Sequence, residues 1–380
     1  MEFINKILKF GDVWGAPDGA LSLVLADAAH AQAPVIFVAR DDARLASIEA
    51  GLKCINPTLD VWVLPAWDCL PFDRLSPQGR LVGRRIETLA RLCAGEAPSI
   101  LLTTINATVQ KLPPADYFAN SSLVITPASA HSPASLTEFL SNHAYLRTDT
   151  VRETAEFAIR GGIVDVFPPG HSDPVRLDFF GDEIETMRVF DAATQRSTGR
   201  LDRLILRPVA EFMLTEASIS RFRTGYLQAF GGSASRDALY ESVSAGRMHP
   251  GIEHWLPLFH DHLATLADYC PGWPLFLDHE GDAAYAARQA QIQDFFEARN
   301  QRDKDDETAP YRPLSPDQLY LSDEHIQTVL LGPSTRRFFA FSAPEMPGPD
   351  SSIKEKSDAG GRAGIRLATS GAASAVTECV

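Results

Sequence analysis

Residues 157–191 read FAIRGGIVDVFPPGHSDPVRLDFFGDEIETMRVFD. Apolar and polar side chains alternate in three short segments of this stretch, Ile163–Phe167, Val175–Phe180 and Ile184–Phe190, and this alternation is typical of half-buried strands. The residues between the segments are rich in Pro, Gly and Asp, which favour turns. The stretch therefore predicts a small antiparallel meander.

The middle strand of this meander presents two different faces, because successive side chains of a strand point to opposite sides. One face is apolar, and the other carries Arg176, Asp178 and Phe180. Arginine beside an exposed aromatic ring is typical of binding hot spots, so one hypothesis is a protein-docking face. The alternative is an ordinary half-buried face on which Arg176 and Asp178 pair locally, an exposed interaction worth about 0–1 kcal/mol.

Composition limits the classes of protein that the chain can represent. With 380 residues, of which 45% are hydrophobic and 22% charged, two or three globular domains are expected. The formal net charge of -14 argues against a general nucleic-acid binder, which needs an excess of Lys and Arg. The five cysteines show neither zinc-ligand nor redox spacing, so we interpret them as free thiols.

The first part of the chain alternates helix and strand patterns. Apolar runs typical of buried parallel strands occur at 34–39, 60–65 and 99–105. Helical patterns precede or separate them at 18–33, 41–55 and 77–95, and Asp41 is a candidate N-cap. Strands separated by helices indicate βαβ units, so residues 1–119 predict the first part of an α/β domain with a doubly wound parallel sheet.

A nucleotide site in such a domain requires a glycine-rich loop after the first strand, with a lysine that reaches the phosphates. The candidate loop, residues 11–19, has glycines but no Gly-Lys-Ser/Thr ending, and Asp18 adds negative charge. The Asp-Glu pairs of the chain, at 182–183 and 323–324, do not follow a buried strand. The sequence therefore predicts a lost phosphate loop, with no catalytic residue, metal or cofactor.

The remaining chain divides into three parts. Residues 120–208 predict a small α+β domain inserted after the first sheet. Residues 209–340 are mostly helical, with one strand at 274–279, and His254, His260 and His262 lack the carboxylate–histidine spacing of a metal site. Residues 341–380 are rich in Pro, Gly, Ser and Ala without apolar periodicity, so a disordered tail is expected.

Four segments carry a family resemblance: LPAWDCLPFDRLSPQGRLVGRRIETL at 64–89, FAIRGGIVDVFPPG at 157–170, VRLDFFGDEIETMRVFD at 175–191 and HPGIEHWLPLF at 249–259. With them, residues 1–340 resemble the N-terminal region of the transcription-repair coupling factor (Mfd) family. The resemblance implies domains like those of the excision-repair helicase UvrB: a RecA-like domain without catalytic activity, an inserted small domain, and a return segment at 209–340 that completes the first domain.

The same resemblance implies a partner and a site. The inserted domain is implied to dock UvrA, which brings nucleotide excision repair to stalled RNA polymerase, and the contacting residues fall on Arg160, Arg176 and Phe180. In the family, domains that bind RNA polymerase and a double-stranded-DNA motor follow, and this sequence does not contain them. Residues 365–380 no longer resemble the family and suggest an out-of-frame or unrelated tail. We therefore expect this chain to bind UvrA only.

Two other functions compete with docking. An NTP-dependent, UvrB-like DNA motor is disfavoured by the missing phosphate-loop lysine and Ser/Thr. A DNA-binding module is suggested by Arg80, Arg84 and Arg85 near one helix face, although a solvated face or contacts to a neighbouring domain explain them as well. The first ten residues contain no apolar signal region and the sequence has no run of 18 apolar residues, which predicts a cytoplasmic protein.

Overall fold

The computed structural model of the chain describes residues 12–15, 18–32, 34–119, 121–127, 129–305, 311–331, 335–339 and 366–367. The strands are β1 (Val13–Trp14), β2 (Val35–Ala39), β3 (Val61–Leu64), β4 (Ile100–Thr104), β5 (Leu123–Ile125), β6 (Leu146–Arg147), β7 (Glu156–Arg160), β8 (Ile163–Val166), β9 (Val175–Phe180), β10 (Glu183–Phe190), β11 (Ser197–Arg200), β12 (Leu204–Leu206), β13 (Leu275–Leu277), β14 (Arg336–Phe339) and β15 (Arg366–Leu367).

The α-helices are α1 (Asp18–Gln32), α2 (Asp42–Ile55), α3 (Gly79–Cys93), α4 (Ile105–Thr108), α5 (Ala115–Ala119), α6 (Pro133–Asn142), α7 (Glu216–Phe230), α8 (Ala238–Ser244), α9 (Leu266–Tyr269), α10 (Gly281–Asp305), α11 (Pro316–Leu319) and α12 (Asp323–Val329). Two 3₁₀-helices span Gly232–Arg236 and Ile252–Leu258. None of the helices in the described ranges is both long and apolar enough to cross a membrane.

A mostly parallel sheet organises the larger part of the chain. Its strand order is β15-β1-β14-β13-β2-β4-β3, and all neighbours pair in parallel except the edge strand β15, which is antiparallel to β1. Strands β13 and β14 come from the segment after the insert, so the chain returns to the sheet that it left at β4. These observations confirm the predicted doubly wound α/β fold.

Both faces of this sheet are covered, which explains why its strands are apolar throughout. On one side, the odd-numbered residues of β2 pack with α1 and α2. On the other side, Ile36 and Val38 join a larger core that includes α3 and most of the helices after residue 209. The predicted N-cap at Asp41 is confirmed, since its Oδ1 accepts a hydrogen bond from the Arg44 amide at 2.7 Å.

The insert contains a second sheet with the strand order β11-β10-β9-β8-β7-β6, in which only β6 and β7 pair in parallel. Its inner face packs on α6 and on the β5–β12 pair to form a separate apolar core. The β9–β10 turn at Gly181 has a φ of 64°, a conformation that glycine adopts without strain. The predicted meander β8–β9–β10 is confirmed, together with the inserted α+β architecture.

Three strands of this sheet were not predicted: β6, β7 and β11. Strand β6 has only two residues, and β11 is fully exposed and lacks an apolar pattern, so neither carries a periodic signal. Strand β7 follows a segment without regular secondary structure, and apolar and polar residues do not alternate clearly along it. Its pairing with β6 and β8 identifies it as a strand. Elsewhere, the predicted loop at 249–259 contains a 3₁₀-helix, and the predicted helix at 315–330 is divided into α11 and α12.

Of residues 341–380, for which a disordered tail was predicted, the structure describes only Arg366–Leu367, which pair with β1. The remainder of that range lies outside the described residues. In the predicted lost phosphate loop, Asp12–Gly15 and the start of α1 are described, whereas Gly11, Ala16 and Pro17 are not.

Candidate protein-docking site

The three predicted site residues project from one face of the insert sheet, which we call the outer face. Arg160 lies opposite Ile163, and Ile163 lies opposite Asp178. Directly opposed residues project to the same side, as do residues two apart on a strand. Arg176 and Phe180, which flank Asp178 at that spacing, therefore share a face with Arg160.

The distance between these residues differs from the sequence-based expectation. Arg160 was expected on the strand adjacent to β9, but it ends β7, and β8 lies between β7 and β9. Because adjacent strands lie about 4.8 Å apart, Arg160 is about 10 Å from β9 across the sheet. The outer face is thus wider than predicted, and the three residues surround an area instead of forming one contact cluster.

Phe180 is the most prominent apolar group of the outer face. Its side chain is 81% exposed, whereas Val175 and Leu177 on the opposite side of the same strand are completely buried. An exposed aromatic ring leaves a large apolar area in water, and its burial against a partner would be favourable. The position therefore suits an interface anchor.

Arg176 is a half-buried, fixed side chain and not an exposed one. Its Nε and Nη2 donate to the two carboxylate oxygens of Asp165, at 2.7 and 2.8 Å, and its guanidinium lies 4.6 Å from the Phe190 ring centroid. The hydrogen bonds that Arg176 donates to Asp165 raise the pKa of Arg176. The alternative of a local pair between Arg176 and Asp178 is wrong: Asp165 is directly opposite on β8, while Asp178 is two residues away on the same strand.

Asp178 serves a neighbouring arginine instead. Its Oδ2 accepts hydrogen bonds from Arg188 Nη2 at 2.8 Å and from Thr186 Oγ1 at 2.7 Å. Two of the outer-face arginines, Arg176 and Arg188, thus have carboxylate partners within the sheet.

Arg160 differs from those two arginines because it forms no ion pair with a carboxylate of the described residues. Its Nε and Nη2 donate to the Asp149 carbonyl oxygen, and Nη2 also donates to Thr150 Oγ1. Both acceptors are neutral, so they orient the guanidinium without neutralising it. An oriented, exposed cation can pair with a carboxylate of a partner.

The carboxyl edge of the large sheet is a second region in which this fold could hold a ligand. In open α/β sheets, ligands bind where adjacent strands send their following helices to opposite faces. Strands β2 and β13 are adjacent, and α2 packs on one face of the sheet while α10 packs on the other. The expected ligand crevice is therefore at the carboxyl ends of β2 and β13.

That crevice is occupied by a buried ion pair of the chain itself. Asp278 follows β13 and is fully buried, and both of its carboxylate oxygens accept hydrogen bonds from Arg44 Nε, at 3.2 and 3.3 Å. The Arg40 amide also donates to Asp278 at 3.3 Å, and the Arg40 side chain contacts Glu280. The Asp278 carboxylate is thus already paired with a cation of the protein.

Sequence reasoning missed Asp278, because only adjacent Asp-Glu pairs were considered. The signal was present, since Asp278 follows the apolar residues 275–277 within the segment 274–279 that was predicted as a strand. Its partner Arg44 could not be identified from sequence, because the pairing of β2 with β13 joins residues far apart in the chain.

The arginines proposed for DNA binding do not form a patch. Arg85 is completely buried and donates to Glu211 at 2.5 Å. Arg84 donates to Glu49 at 2.8 Å. Of the three arginines, only Arg80 is exposed and lies outside these ion pairs. Arg85 on α3 faces Glu211, which lies after the insert. For this arginine, a contact to a neighbouring part of the chain is therefore the correct alternative, and DNA binding is not.

Of the three histidines considered as metal ligands, His254 and His260 have separate surroundings. His254 is buried and accepts a hydrogen bond from the Asp73 amide, and burial lowers its pKa to about 3. His260 contacts the Glu211 carbonyl at 2.8 Å, and burial lowers its pKa too. Within the described ranges, no group of three or more His, Cys, Asp or Glu side chains could hold a metal ion.

Fold and site together define a class: an α/β protein of RecA-like architecture whose ligand crevice is filled and whose insert presents a sheet face with an exposed aromatic ring. The family model described as the UvrB interaction domain matches residues 123–212, which coincide with the insert. The chain is homologous to the N-terminal part of transcription-repair-coupling factors.

Individual relatives agree with this assignment. The chain is 32% identical over 311 residues to the transcription-repair-coupling factor of Haemophilus influenzae, over 81% of this chain and 26% of that protein. The factor of Escherichia coli strain K12 is 31% identical over 310 residues, again over 81% and 26%. The factor of Rickettsia bellii is 33% identical over 266 residues, which cover 70% of this chain and 24% of that protein. The chain thus spans about a quarter of the length of these relatives.

Proposed function

We propose that this chain is a UvrA-docking module that takes part in recruiting nucleotide excision repair to stalled RNA polymerase. The proposed contact is the outer face of the insert sheet, with Phe180 as the apolar anchor and Arg160 and Arg176 as cationic neighbours. The observation that carries the proposal is the exposure of Phe180 on a strand whose other residues are buried or half-buried. Aromatic anchors with arginine neighbours account for much of the energy of protein interfaces.

The arginines contribute in different ways in this proposal. Arg160 is held by neutral oxygens and is available for a carboxylate of UvrA. Arg176 is fixed between Asp165 and Phe190, so it presents only Nη1, the guanidinium nitrogen that bonds no described residue, to a partner. A fixed donor loses little conformational entropy on binding, which favours affinity.

The proposal includes the absence of catalysis in this chain. The ion pair of Arg44 and Asp278 fills the crevice in which such sheets bind ligands, and the candidate phosphate loop lacks the lysine and Ser/Thr that would contact phosphates and magnesium. Both features disfavour the alternative of an NTP-dependent, UvrB-like motor.

A pull-down with purified UvrA tests the proposal. Tagged wild-type chain should retain UvrA, and Arg160→Ala should retain markedly less while its melting temperature stays unchanged, because Arg160 is exposed. The matched control is Arg147→Ala, an exposed arginine on β6 whose neighbour in register, Phe157, faces the inner side. A wild-type chain that retains no UvrA would overturn the proposed function.

A further inference from the structure

Three arginines lie side by side across the outer face. Arg176 on β9 is directly opposite Arg188 on β10, and Arg188 is directly opposite Arg200 on β11. Like charges in directly opposed positions destabilise a sheet. We call this row the arginine ladder, and each of its members needs a carboxylate partner to offset the repulsion.

The members of the ladder differ in how they are compensated. Asp165 pairs with Arg176, and Asp178 pairs with Arg188. Arg200 is exposed and has no ion pair with any described residue. Arg200 therefore lies opposite Arg188 without a carboxylate partner of its own, on an edge strand that is otherwise small and polar.

The remaining charges are distributed unevenly over the outer face. The exposed carboxylates Asp182 and Glu183 lie at the tip of the β9–β10 hairpin, beside Phe180. The uncompensated cations, Arg160 on β7 and Arg200 on β11, lie four strand spacings apart, which corresponds to about 19 Å. A patch of this width suits a protein interface of ordinary size, which buries about 800 Å² on each partner.

We infer that the docking surface extends across β10 to β11 and that Arg200 is a further partner-contacting residue. This inference rests on the proposed function. Its partner surface carries acidic groups spaced to meet Arg160 and Arg200, with an apolar pocket for Phe180 to one side of the line between them. The separation of positive and negative ends on this face fixes the orientation in which such a partner docks.

An exposed rim charge acts mainly on the association rate and on its salt dependence. The test measures association and dissociation of purified UvrA with wild-type chain, Arg200→Glu, Arg200→Lys and Phe180→Ala, at low salt and at about 1 M salt, where charges are screened within about 3 Å. Arg147→Glu is the matched control, because it makes the same charge change at an exposed β6 position on the inner side.

Arg200→Glu should lower the association rate about fivefold or more at low salt, and this difference should largely vanish at high salt. Arg200→Lys should keep most of the wild-type rate, and Arg147→Glu should change it much less than Arg200→Glu. The inference about Arg200 fails, while the proposed function stands, under one combination of results. In that case UvrA binds wild type and binds Phe180→Ala more weakly, but it associates with Arg200→Glu at the same rate as with Arg147→Glu. If UvrA binds no variant and no wild type, the proposed function fails as well.

Discussion

At the scale of single residues, the outer face shows how a side chain can be both structural and available to a partner. Arg176 was expected to be exposed, but its side chain is only 17% exposed and that of its partner Asp165 is 2% exposed. Strand β9 itself was predicted with the correct bounds, since its alternation is complete. The partner of Arg176 could not be predicted, because the register between β8 and β9 is a tertiary property.

This pairing leads to a prediction about stability. Arg176→Ala should lower the free energy of unfolding by about 2–4 kcal/mol, because it leaves the buried Asp165 carboxylate without its partner. Arg160→Ala, at an exposed position, should change it by less than about 0.5 kcal/mol. Urea denaturation of the two variants checks this, and equal stabilities would contradict the structural role of Arg176.

A second residue-scale prediction concerns Glu253, which is buried and accepts a hydrogen bond from Ser76 Oγ at 2.8 Å. Burial raises its pKa from 4.5 to about 7. Because the folded state holds this proton more tightly, the stabilisation is complete below pH 4.5 and is lost as the pH rises to about 7. The loss is of the order of 3 kcal/mol.

Glu253→Gln cannot lose this proton, so its stability relative to wild type should increase between about pH 5 and pH 8. Melting temperatures of both proteins across that range provide the measurement, with Glu241→Gln, an exposed glutamate, as the control. Parallel pH profiles of wild type and Glu253→Gln would rule out the raised pKa.

At the scale of elements, α3 connects the insert with the large sheet. Arg85 on this helix is completely buried, and it donates to Glu211 after the insert and to the Pro65 carbonyl after β3. Nearby, Gly83 approaches Pro169 so closely that a Cβ added at Gly83 would lie 2.5 Å from the proline Cβ. The sequence pattern predicted a helix at α3, but it did not predict that Arg85 faces inwards. Arginine is rarely buried unless it is paired, and its partner was not identifiable from the sequence.

This contact leads to a prediction by double-mutant cycle. Glu211→Ala should lower the free energy of unfolding by about 3–5 kcal/mol, because Arg85 is left as an uncompensated buried charge. Adding Arg85→Met should restore part of the loss, since an apolar pair can replace a buried ion pair. Denaturation of both single variants and the double variant measures the coupling, and additive losses would show that the pair is not coupled.

At the scale of the whole molecule, the fold was largely predictable and the chemistry of its crevice was not. Buried apolar strands between helices identify a doubly wound sheet without knowledge of its strand order. The crevice depends on that order, because it requires β2 and β13 to be neighbours. Only the folded chain brings Arg44 to Asp278.

The filled crevice predicts that the chain neither binds nor hydrolyses ATP. Turnover with and without DNA should equal the background, whereas a working enzyme reaches at least about 1 per second. A fluorescent ATP analogue should likewise show no saturable binding. Saturable binding that Asp278→Asn weakens would show that the crevice is open to nucleotide.

The most direct test of the docking account is a calorimetric titration of UvrA with wild-type chain, Phe180→Ala and Val124→Ala. Val124 is also an exposed apolar residue, but it lies in the β5–β12 pair outside the outer face. Phe180→Ala should weaken binding by about 1–4 kcal/mol with an unchanged melting temperature, and Val124→Ala should bind as wild type does. Wild-type affinity in folded Phe180→Ala would contradict the account.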